Sequence, residues 1–452
     1  MKNALFENIV IGSGPGGAIA TCLLAEAGRE TLLLEEGEAI GDNEIEPFSV
    51  AEMRRQYRNG GVTMAFGKPR VQYVEGATLG GGSEINSGLY YRLPDKVKST
   101  WQEQFGLNLD GFEKHEEIVE KDISVSFSPH APPPPSIKLR EGAKALGWSC
   151  AEVPRWHRYD IDERQTMSRT YIPRAIAAGA KVQTGAKATR VSQNGNGWLV
   201  TLKNRQTIGC KRLFLAAGAI QTPLILQKSG LISAAKTLHM HPTIKVIAHF
   251  QDEVNSRDMG VPTHQIKQFD NIGIGCSISS PHYLSTSMLN RPDGLNVVRG
   301  DWKRLASYYA MIVPEARGVV RKLPLFDDAF VSIALSDNDL AALSIALKKL
   351  CEVLFAAGAD RLYPSIDAMA PLTKPSDVDL IPDRLPRKQS ALMTIHLTSS
   401  MIGEIDEWGA LSYAKNLVIS DASALPSAPG VNPQGVLLSL ARRNITKFLE
   451  ER

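Results

Sequence analysis

The sequence predicts an α/β fold in which a dinucleotide-binding unit opens the chain and a second sheet domain follows later. The first indication is the stretch from Phe6 to Gly37, where a short apolar strand, a glycine-rich turn, a helical pattern and a second strand follow one another. The second is a different pattern of predicted elements from about residue 231 to 394, where longer strand candidates surround one long helical pattern, Asn338–Ala357. The third is the stretch from 394 to 452, which returns to an apolar strand and a helix and is expected to rejoin the first unit.

The glycine-rich turn meets the G-x-G-x-x-G pattern with Gly12, Gly14 and Gly17. Gly12 permits a tight turn, Gly14 lets a pyrophosphate approach the backbone, and Gly17 lets the helix pack closely on the strand. The start of the helix then offers free N–H groups and the positive end of its dipole to phosphates. Together these features predict a dinucleotide site.

An acidic residue, Glu35, follows the second strand, Thr31–Leu34. It comes about 20 residues after the glycines, where the fingerprint places an acceptor for the ribose hydroxyls. A carboxylate there would repel a 2′-phosphate, so FAD or NAD is favoured over NADP.

Composition narrows the class of protein further. The 452 residues allow two or three domains and a large core, and a net charge of +3 gives no argument for a nucleic-acid partner. The five cysteines are scattered without a C-x-x-C pair, which indicates neither a disulfide framework nor a zinc site and suits a reducing compartment. No apolar run reaches the roughly 18 residues of a membrane span. We therefore expect no membrane span and a cytoplasmic location.

Two further segments invite a local interpretation. The glycine block from 76 to 82 either is flexible or lies against a flat ligand with its N–H groups exposed. The proline run within His130–Ser136 is interpreted as a stiff spacer before a helix at Ile137–Leu146. A helix at Leu224–Ser229, stopped by Gly230, is also predicted.

Four separated blocks stand out in the chain. They are the opening unit with LLLEEGE, the block GATLGGGSEINSGLYYR at Gly76–Arg92, the block GAIQTPLILQKSG at Gly218–Gly230, and a C-terminal block with His396, NLVISDASALP from Asn416 and PGVNPQ from Pro429. In this order they resemble the glucose–methanol–choline (GMC) family of oxidoreductases, and the resemblance extends over essentially the whole chain. The resemblance implies a Rossmann-like FAD-binding domain and a substrate domain built on an antiparallel sheet with helices. The expected FAD-binding domain is discontinuous, comprising 1–100, 165–230 and 395–452, and the substrate domain comprises 101–164 and 231–394.

The resemblance also implies which residues bind FAD. In the glycine loop and its acid, Gly12, Ser13, Gly14 and Gly17 are expected at the pyrophosphate and Glu35 at the ribose. Thr78, Gly80, Gly81, Ser83 and Asn86 are expected on the flavin side. Ala188, Ala217 and Gly218 are expected around the adenine, and Asp421 and Ala422 near the phosphates and ribityl chain. Asn432, Pro433 and Gln434 are expected at the flavin ring, with the following helix directing its N-terminus to the pyrimidine end.

For catalysis the resemblance points to His396 and Asn432. Oxidation of an alcohol removes a hydroxyl proton and a hydride, and the hydride is expected to go to flavin N5. A neutral histidine suits the role of general base, and the Asn432 amide suits that of a hydrogen-bond partner for the substrate oxygen. The expected enzyme is an FAD-dependent alcohol oxidase or dehydrogenase of the EC 1.1 class, acting on a small-molecule alcohol with O₂ or another electron acceptor. The alternative is a flavin-dependent lyase or decarboxylase of the same fold.

The chain departs from the family pattern at two places. Ile85 occupies the position at which some members carry a histidine that binds FAD covalently, so non-covalent FAD is expected. Ser399 and Ser400 stand where many members have Gly-Thr after the histidine, which suggests a changed loop shape or added hydroxyls in the pocket. His239 and His241 are spaced for one strand face, but no third metal ligand is evident, so no metal is expected.

Overall fold

The computed structural model describes residues 5–41 and 44–451. The strands in these ranges are β1 Leu5–Ile11, β2 Thr31–Leu34, β3 Thr63–Ala65, β4 Val71–Tyr73, β5 Val125–Ser126, β6 Cys150–Glu152, β7 Arg155–Arg158, β8 Glu163–Arg164, β9 Lys181–Gln183, β10 Ala188–Asn194, β11 Gly197–Leu202, β12 Thr207–Leu215, β13 Ala235–Met240, β14 Thr243–His249, β15 His264–Ile266, β16 Ile272–Cys276, β17 Leu305–Ile312, β18 Gly318–Lys322, β19 Ala329–Ile333, β20 Arg361–Pro364, β21 Leu392–Thr394, β22 Leu397–Thr398 and β23 Leu417–Ile419. The helices are α1 Pro15–Glu26, α2 Val50–Gln56, α3 Asp95–Phe105, α4 Phe112–Asp122, α5 Pro134–Ala145, α6 Tyr171–Ala177, α7 Gly218–Lys228, α8 Pro281–Ser287, α9 Gly294–Asp301, α10 Asp337–Ala356 and α11 Gln434–Glu450.

The first sheet is parallel at its centre, with strand order β9–β2–β1–β12–β23. Strands β11 and β10 extend it antiparallel along the first half of β12. Because side chains alternate along a strand, Ile9 and Ile11 of β1 enter the core on one face and Val10 enters the core on the other. The predicted strand–turn–helix–strand unit is present, and its second strand has the predicted bounds.

The second large sheet has the order β3–β4–β21–β14–β17–β16–β15–β6, with β20 also beside β14. Its pairings are antiparallel except that of β4 with β21. Residues of α5 and α10 pack on one face and close the largest hydrophobic cluster there. The other face is turned toward the first sheet's glycine loops. Strands β3 and β4 come from the first hundred residues but join this sheet, and the proposed domain boundaries stay a prediction.

A smaller sheet, β19–β18–β13–β22, connects these two layers. The chain leaves the large sheet at β21 and enters this sheet at β22, so Ile395 and His396 lie at the crossing between the sheets. The position of His396 is fixed from both sides, because β21 before it is paired with strands of the large sheet and β22 after it is paired with β13 of the small sheet.

Two predicted helices begin earlier than expected. Helix α5 begins at Pro134, because prolines in the first turn of a helix lose no intrahelical hydrogen bond. Helix α7 begins at Gly218 rather than Leu224 and includes Pro223. Pro223 has no N–H for the carbonyl of Ala219, and the Ser400 hydroxyl donates to that carbonyl at 2.6 Å instead. The helix therefore tolerates the proline.

Among the described residues, no helix has the length and apolar character needed to cross a membrane.

Candidate active site

One cavity extends from the glycine loop after β1 to His396 and is lined from both large sheets. At its first end Gly12 has a φ of +99°, and a Cβ there would lie 2.3 Å from the Ala216 carbonyl oxygen. A Cβ on Gly17 would lie 1.9 Å from the Gly12 oxygen, so Gly17 permits the close packing of α1 on β1. A Cβ on Gly14 would meet no atom within 4 Å. Gly14 therefore borders open space, as a backbone approached by a ligand does.

Glu35 lines the same end of the cavity and is 5% exposed. One carboxylate oxygen accepts from the N–H and hydroxyl of Ser13 at 2.9 and 2.6 Å, and the other accepts from the Gly37 N–H at 2.8 Å. Burial raises the pKa of Glu35, while these hydrogen bonds oppose the rise. Each carboxylate oxygen has further lone-pair capacity, so Glu35 shapes the glycine loop and can still accept a ribose hydroxyl.

The second glycine block divides into residues that line the cavity and residues that lie behind it. Gly81 and Asn86 line the cavity. Thr78, Gly80 and Ser83 do not, and they form its support. The Thr78 hydroxyl donates to the Glu38 carbonyl at 3.1 Å, the Gly80 N–H donates to Ser13 Oγ at 2.9 Å, and the Ser83 hydroxyl donates to the Gly80 carbonyl at 2.8 Å.

The predicted residues Ala188, Ala217, Gly218, Asp421 and Ala422 all line the cavity. Asp421 accepts four hydrogen bonds, two from Ser423, one from the Thr222 hydroxyl at 2.5 Å and one from the Gly218 N–H at 2.9 Å. Burial raises the pKa of Asp421, and these donors oppose the rise. Through these hydrogen bonds the Asp421 carboxylate connects the β12–α7 turn to the segment after β23.

The N-termini of α1, α7 and α11 all meet the cavity, at Gly14–Gly16, Ala217–Ala219 and Pro433–Gln434. The N-cap residue of each helix makes no side-chain cap bond, and at α7 the Asp421 carboxylate accepts from the Gly218 N–H instead. Gln434 also has a buried side-chain nitrogen, Nε2, with no partner in the described part of the chain, although its Oε1 accepts from Asn86 at 2.7 Å. Helix N-termini attract anions, and an unpartnered buried donor requires an acceptor. The cavity therefore fits a long anionic ligand with hydrogen-bond acceptors.

At the far end, His396 and Asn432 lie side by side, with His396 Nε2 3.3 Å from Asn432 Nδ2. His396 Nδ1 lies 2.9 Å from Nδ1 of His241. Burial and the neighbouring His241 lower the pKa of His396 well below its ordinary value, so its imidazole is neutral at neutral pH. Gln265 donates to Asn432 Oδ1 at 3.4 Å and to the Tyr309 hydroxyl at 2.9 Å, which orients the amide.

The two imidazoles have two neutral arrangements. The Gly430 N–H points to His241 Nε2 at 3.2 Å. If His241 Nε2 accepts this bond, its proton is on Nδ1 and His396 carries a proton on Nε2. If instead His396 donates from Nδ1 to His241, His396 Nε2 has a lone pair that accepts from Asn432 Nδ2, at the cost of the Gly430 bond, about 1 kcal/mol.

His239 and His241 have a role that sequence reasoning missed. His239 Nδ1 accepts from the Ala428 N–H at 2.9 Å, and the Gly430 N–H, two residues later, points to His241 Nε2 at 3.2 Å. Two histidines with a spacing of two thus hold the segment that leads to Asn432. The H-x-H spacing is the available signal, but it does not show which backbone N–H groups the two rings would meet. In the described ranges, no group of three or more His, Cys, Asp or Glu side chains is placed to hold a metal ion.

The serines after His396 add no hydroxyl to the cavity, because both are buried elsewhere. Ser399 has a φ of +65° and donates to the Thr398 hydroxyl, and Ser400 donates to Ala219. The expectation of added pocket hydroxyls is therefore wrong, while that of a special loop conformation agrees with the positive φ.

Comparison with known proteins identifies the class. The family model for GMC oxidoreductases matches residues 53–243. The GMC-type oxidoreductase y4nJ of Sinorhizobium fredii is 32% identical over 97% of this chain and 93% of its own length. The chain therefore belongs to the GMC oxidoreductase family, and the predicted family, fold and enzyme class, an oxidoreductase acting on CH–OH groups, are confirmed.

This chain is also similar to a plant enzyme in sequence and to a solved structure in fold. The long-chain-alcohol oxidase FAO3 of Arabidopsis thaliana is 26% identical over 96% of this chain and 66% of its own length. The crystal structure of pyridoxine 4-oxidase from Mesorbium loti superposes with a TM-score of 0.75 over 99% of this chain and 100% of that chain, at 15% identity. At this identity the second similarity concerns the fold alone.

GMC oxidoreductases are flavoproteins that use FAD. The cavity fits FAD on three observations. The space beside Gly14 admits a backbone-bound pyrophosphate, the uncapped N-termini of α1 and α11 line the same cavity, and Gln434 has an unused donor at the start of α11.

We predict that Gly14→Ala folds like the parent but binds FAD at least about 10-fold more weakly, because the methyl group occupies the space for the pyrophosphate. Gly17→Ala is the matched comparison, and its Cβ clash with Gly12 should lower the stability of the protein without any ligand. Thermal unfolding of the FAD-free protein and titration with FAD separate the two effects. Parent affinity in Gly14→Ala would show that the cofactor does not pass this glycine.

We predict that His239→Gln makes stability less dependent on pH. Burial, with Arg317 and His241 nearby, lowers the pKa of His239 to about 3. The unfolded chain therefore binds a proton between about pH 6.5 and 3 that the folded chain does not, and stability falls as the pH is lowered through this window. Glutamine keeps an acceptor for Ala428 and does not titrate. Denaturant unfolding measures the free energy of unfolding at each pH. In His239→Gln the slope of this free energy against pH should be smaller by about one proton, roughly 1.4 kcal/mol per pH unit. An unchanged slope, equal to that of the exposed control His130→Gln, would contradict the prediction.

Proposed function

We propose that the protein catalyses FAD-dependent oxidation of a primary or secondary alcohol to the carbonyl, with His396 as general base and Asn432 as hydrogen-bond partner of the substrate oxygen. The observation that carries the proposal is that these two side chains lie 3.3 Å apart at one end of a cavity whose other end is the dinucleotide loop. The name of the relative FAO3, a long-chain-alcohol oxidase, supports an alcohol as substrate.

The groups that would hold FAD are the glycine loop, Glu35, the cavity-lining residues of the second glycine block and the N-terminus of α11. When bound, FAD would supply the acceptor for the hydride that leaves the carbinol carbon. Ile85 lines the cavity and has no atom able to form a bond to the cofactor, which supports non-covalent binding. The electrons then leave to O₂ or to another acceptor.

His396 takes the hydroxyl proton at Nε2. This requires the arrangement in which His396 donates its Nδ1–H to His241, since only then is Nε2 unprotonated and able to accept a proton. Asn432 presents its amide to the substrate oxygen and does not titrate, and Gln265 keeps that amide oriented. The hydroxyl proton, which His396 takes, and the hydride together account for the two protons and two electrons that an alcohol loses in forming the carbonyl.

A reducing, cytoplasmic setting is part of the proposal. It is supported by the thiols of Cys22, Cys150, Cys210, Cys276 and Cys351, which are all free.

We predict that anaerobic addition of an alcohol bleaches the flavin of the purified protein, and that His396→Ala retains FAD but reduces it roughly 10²–10⁴-fold more slowly. Stopped-flow absorbance measures both rates, and His130→Ala, an exposed histidine, is the control. If His396→Ala reduced the flavin at the parent rate, the base would be another group. Absence of bleaching by every alcohol, with turnover of a substrate without net oxidation, would favour the lyase or decarboxylase.

We predict that acid precipitation of the protein releases all of its flavin into the supernatant, because Ile85 offers no attachment point. Flavin absorbance retained in the washed precipitate would establish a covalent link and contradict this assignment.

A further inference from the structure

The substrate-side wall of the cavity is one face of the large sheet, and Lys245 lies on it. Along β14, Ile244 and Val246 enter the hydrophobic core, whereas Thr243 and Lys245 line the cavity. This alternation follows from the period of a strand. Tyr309 of β17 is the register partner of Lys245 and also lines the cavity.

Lys245 differs from the other cavity-lining cations in its partners. Arg58 pairs with Glu36 and Glu75, and Lys187 pairs with Glu36 at 3.2 Å. Among the described residues, no carboxylate lies within 4.0 Å of the Lys245 ammonium group and no acceptor binds it, so its charge faces the cavity. Burial lowers the pKa of Lys245 to about 8, which reflects the missing counter-charge.

The acidic residues that line the cavity are at its nucleotide end, and each already has an ion pair or a hydrogen bond within the protein. Glu36 and Glu75 hold Arg58, Glu35 holds Ser13, and Asp421 holds Ser423. In the described part of the chain, the substrate side contributes no carboxylate to the cavity lining; its apolar residues are Val261, Ile278, Met311, Met393 and Ile395, and its uncharged polar residues include Thr243, Ser277, Tyr283 and Tyr309. This end of the cavity therefore presents one cation in a wall without negative charge.

We propose that Lys245 binds a carboxylate on the alcohol substrate, so that the substrate is a hydroxy acid with its hydroxyl and carboxylate at opposite ends of an apolar frame. The inference rests on the proposed function and names its substrate class. A single ammonium group balances the single charge of a carboxylate, whereas a phosphate group carries a charge of about −1.5 to −2 at pH 7. The pyrophosphate of the cofactor is matched instead by the glycine loop and the N-terminus of α1.

The position of Lys245 suits an anchor at a distance from the reacting carbon. Thr243, on the same face, is roughly 7 Å along the strand from Lys245. Thr243 pairs with Met393, three residues before His396. The ammonium group and the imidazole are thus separated by wall residues that can contact a carbon frame, which would place the hydroxyl at His396 and the carboxylate at Lys245.

The test compares 4-(hydroxymethyl)benzoate and short and medium-chain ω-hydroxy acids, each against its own methyl ester, in anaerobic flavin reduction. The parent should favour acids over esters by at least about 10-fold in kcat/KM. Lys245→Met should lose roughly 10- to 100-fold with acids and change little with esters, since one charge-assisted hydrogen bond is removed. Lys245→Arg should restore much of the preference. Lys236→Met, an exposed lysine on β13, should match the parent.

A second readout does not depend on turnover. Calorimetric titration of the FAD-bound protein with 4-methylbenzoate, which has no hydroxyl to oxidise, should show binding by the parent and loss of binding in Lys245→Met. FAD titration of the same variant should give the parent affinity, and a weakened FAD affinity would place the lysine against the cofactor and overturn the inference.

The outcomes separate the two proposals. Reduction by esters and acids alike, without preference, would overturn the role of Lys245 and leave alcohol oxidation standing. Reduction by no alcohol, with 4-methylbenzoate bound through Lys245, would overturn alcohol oxidation and leave the anion site standing. If Lys245→Met does not fold, the parent's acid preference and the Lys245→Arg variant decide the question.

Discussion

The hydrogen bond between the two imidazoles, His241 and His396, is the interaction on which the geometry of the site depends. It joins the end of β13 to the crossing between β21 and β22. The small sheet and the large sheet therefore meet through one buried pair of side chains. Because both rings are neutral when buried, the pair is held without the large cost of desolvating a charge. The position of a proton within this pair decides whether His396 is a donor or a base.

Close contact between glycine segments holds the other end of the cavity. A Cβ on Gly81 would lie 2.8 Å from the Gly14 Cα, so the second glycine block packs directly on the first loop. Ser13 completes this contact, since its hydroxyl donates to Glu35 and accepts from the Gly80 N–H. The backbone, rather than long side chains, thus forms this wall. A wall of this kind leaves N–H groups free for a ligand and keeps its shape because little of it can rotate.

Local sequence was sufficient for the opening unit of the fold, but it was insufficient for residues whose role is tertiary. The roles of Gly12 and Gly17 follow from steric rules that act within about thirty residues of chain, and the structure agrees with them. Thr78, Gly80 and Ser83 lie behind the cavity wall, and nothing in their block distinguishes lining residues from supporting ones. The bond from Ser400 to Ala219 joins residues far apart in the sequence. In the sequence, Lys245 is a lysine between apolar residues and looks like an ordinary strand position. Only the structure shows that no carboxylate of the described residues lies beside its ammonium group.

The central claim is that His396 presents an unprotonated Nε2 to the alcohol because its Nδ1–H is donated to His241. Nitrogen-15 NMR of the FAD-bound protein with labelled histidine, assigned by comparison with His396→Gln, measures this directly. We expect His396 to carry its proton on Nδ1 and Nε2 to be unprotonated at neutral pH. A proton on Nε2, with the Gly430 N–H still bonded to His241, would make His396 a donor to the substrate and would contradict the account.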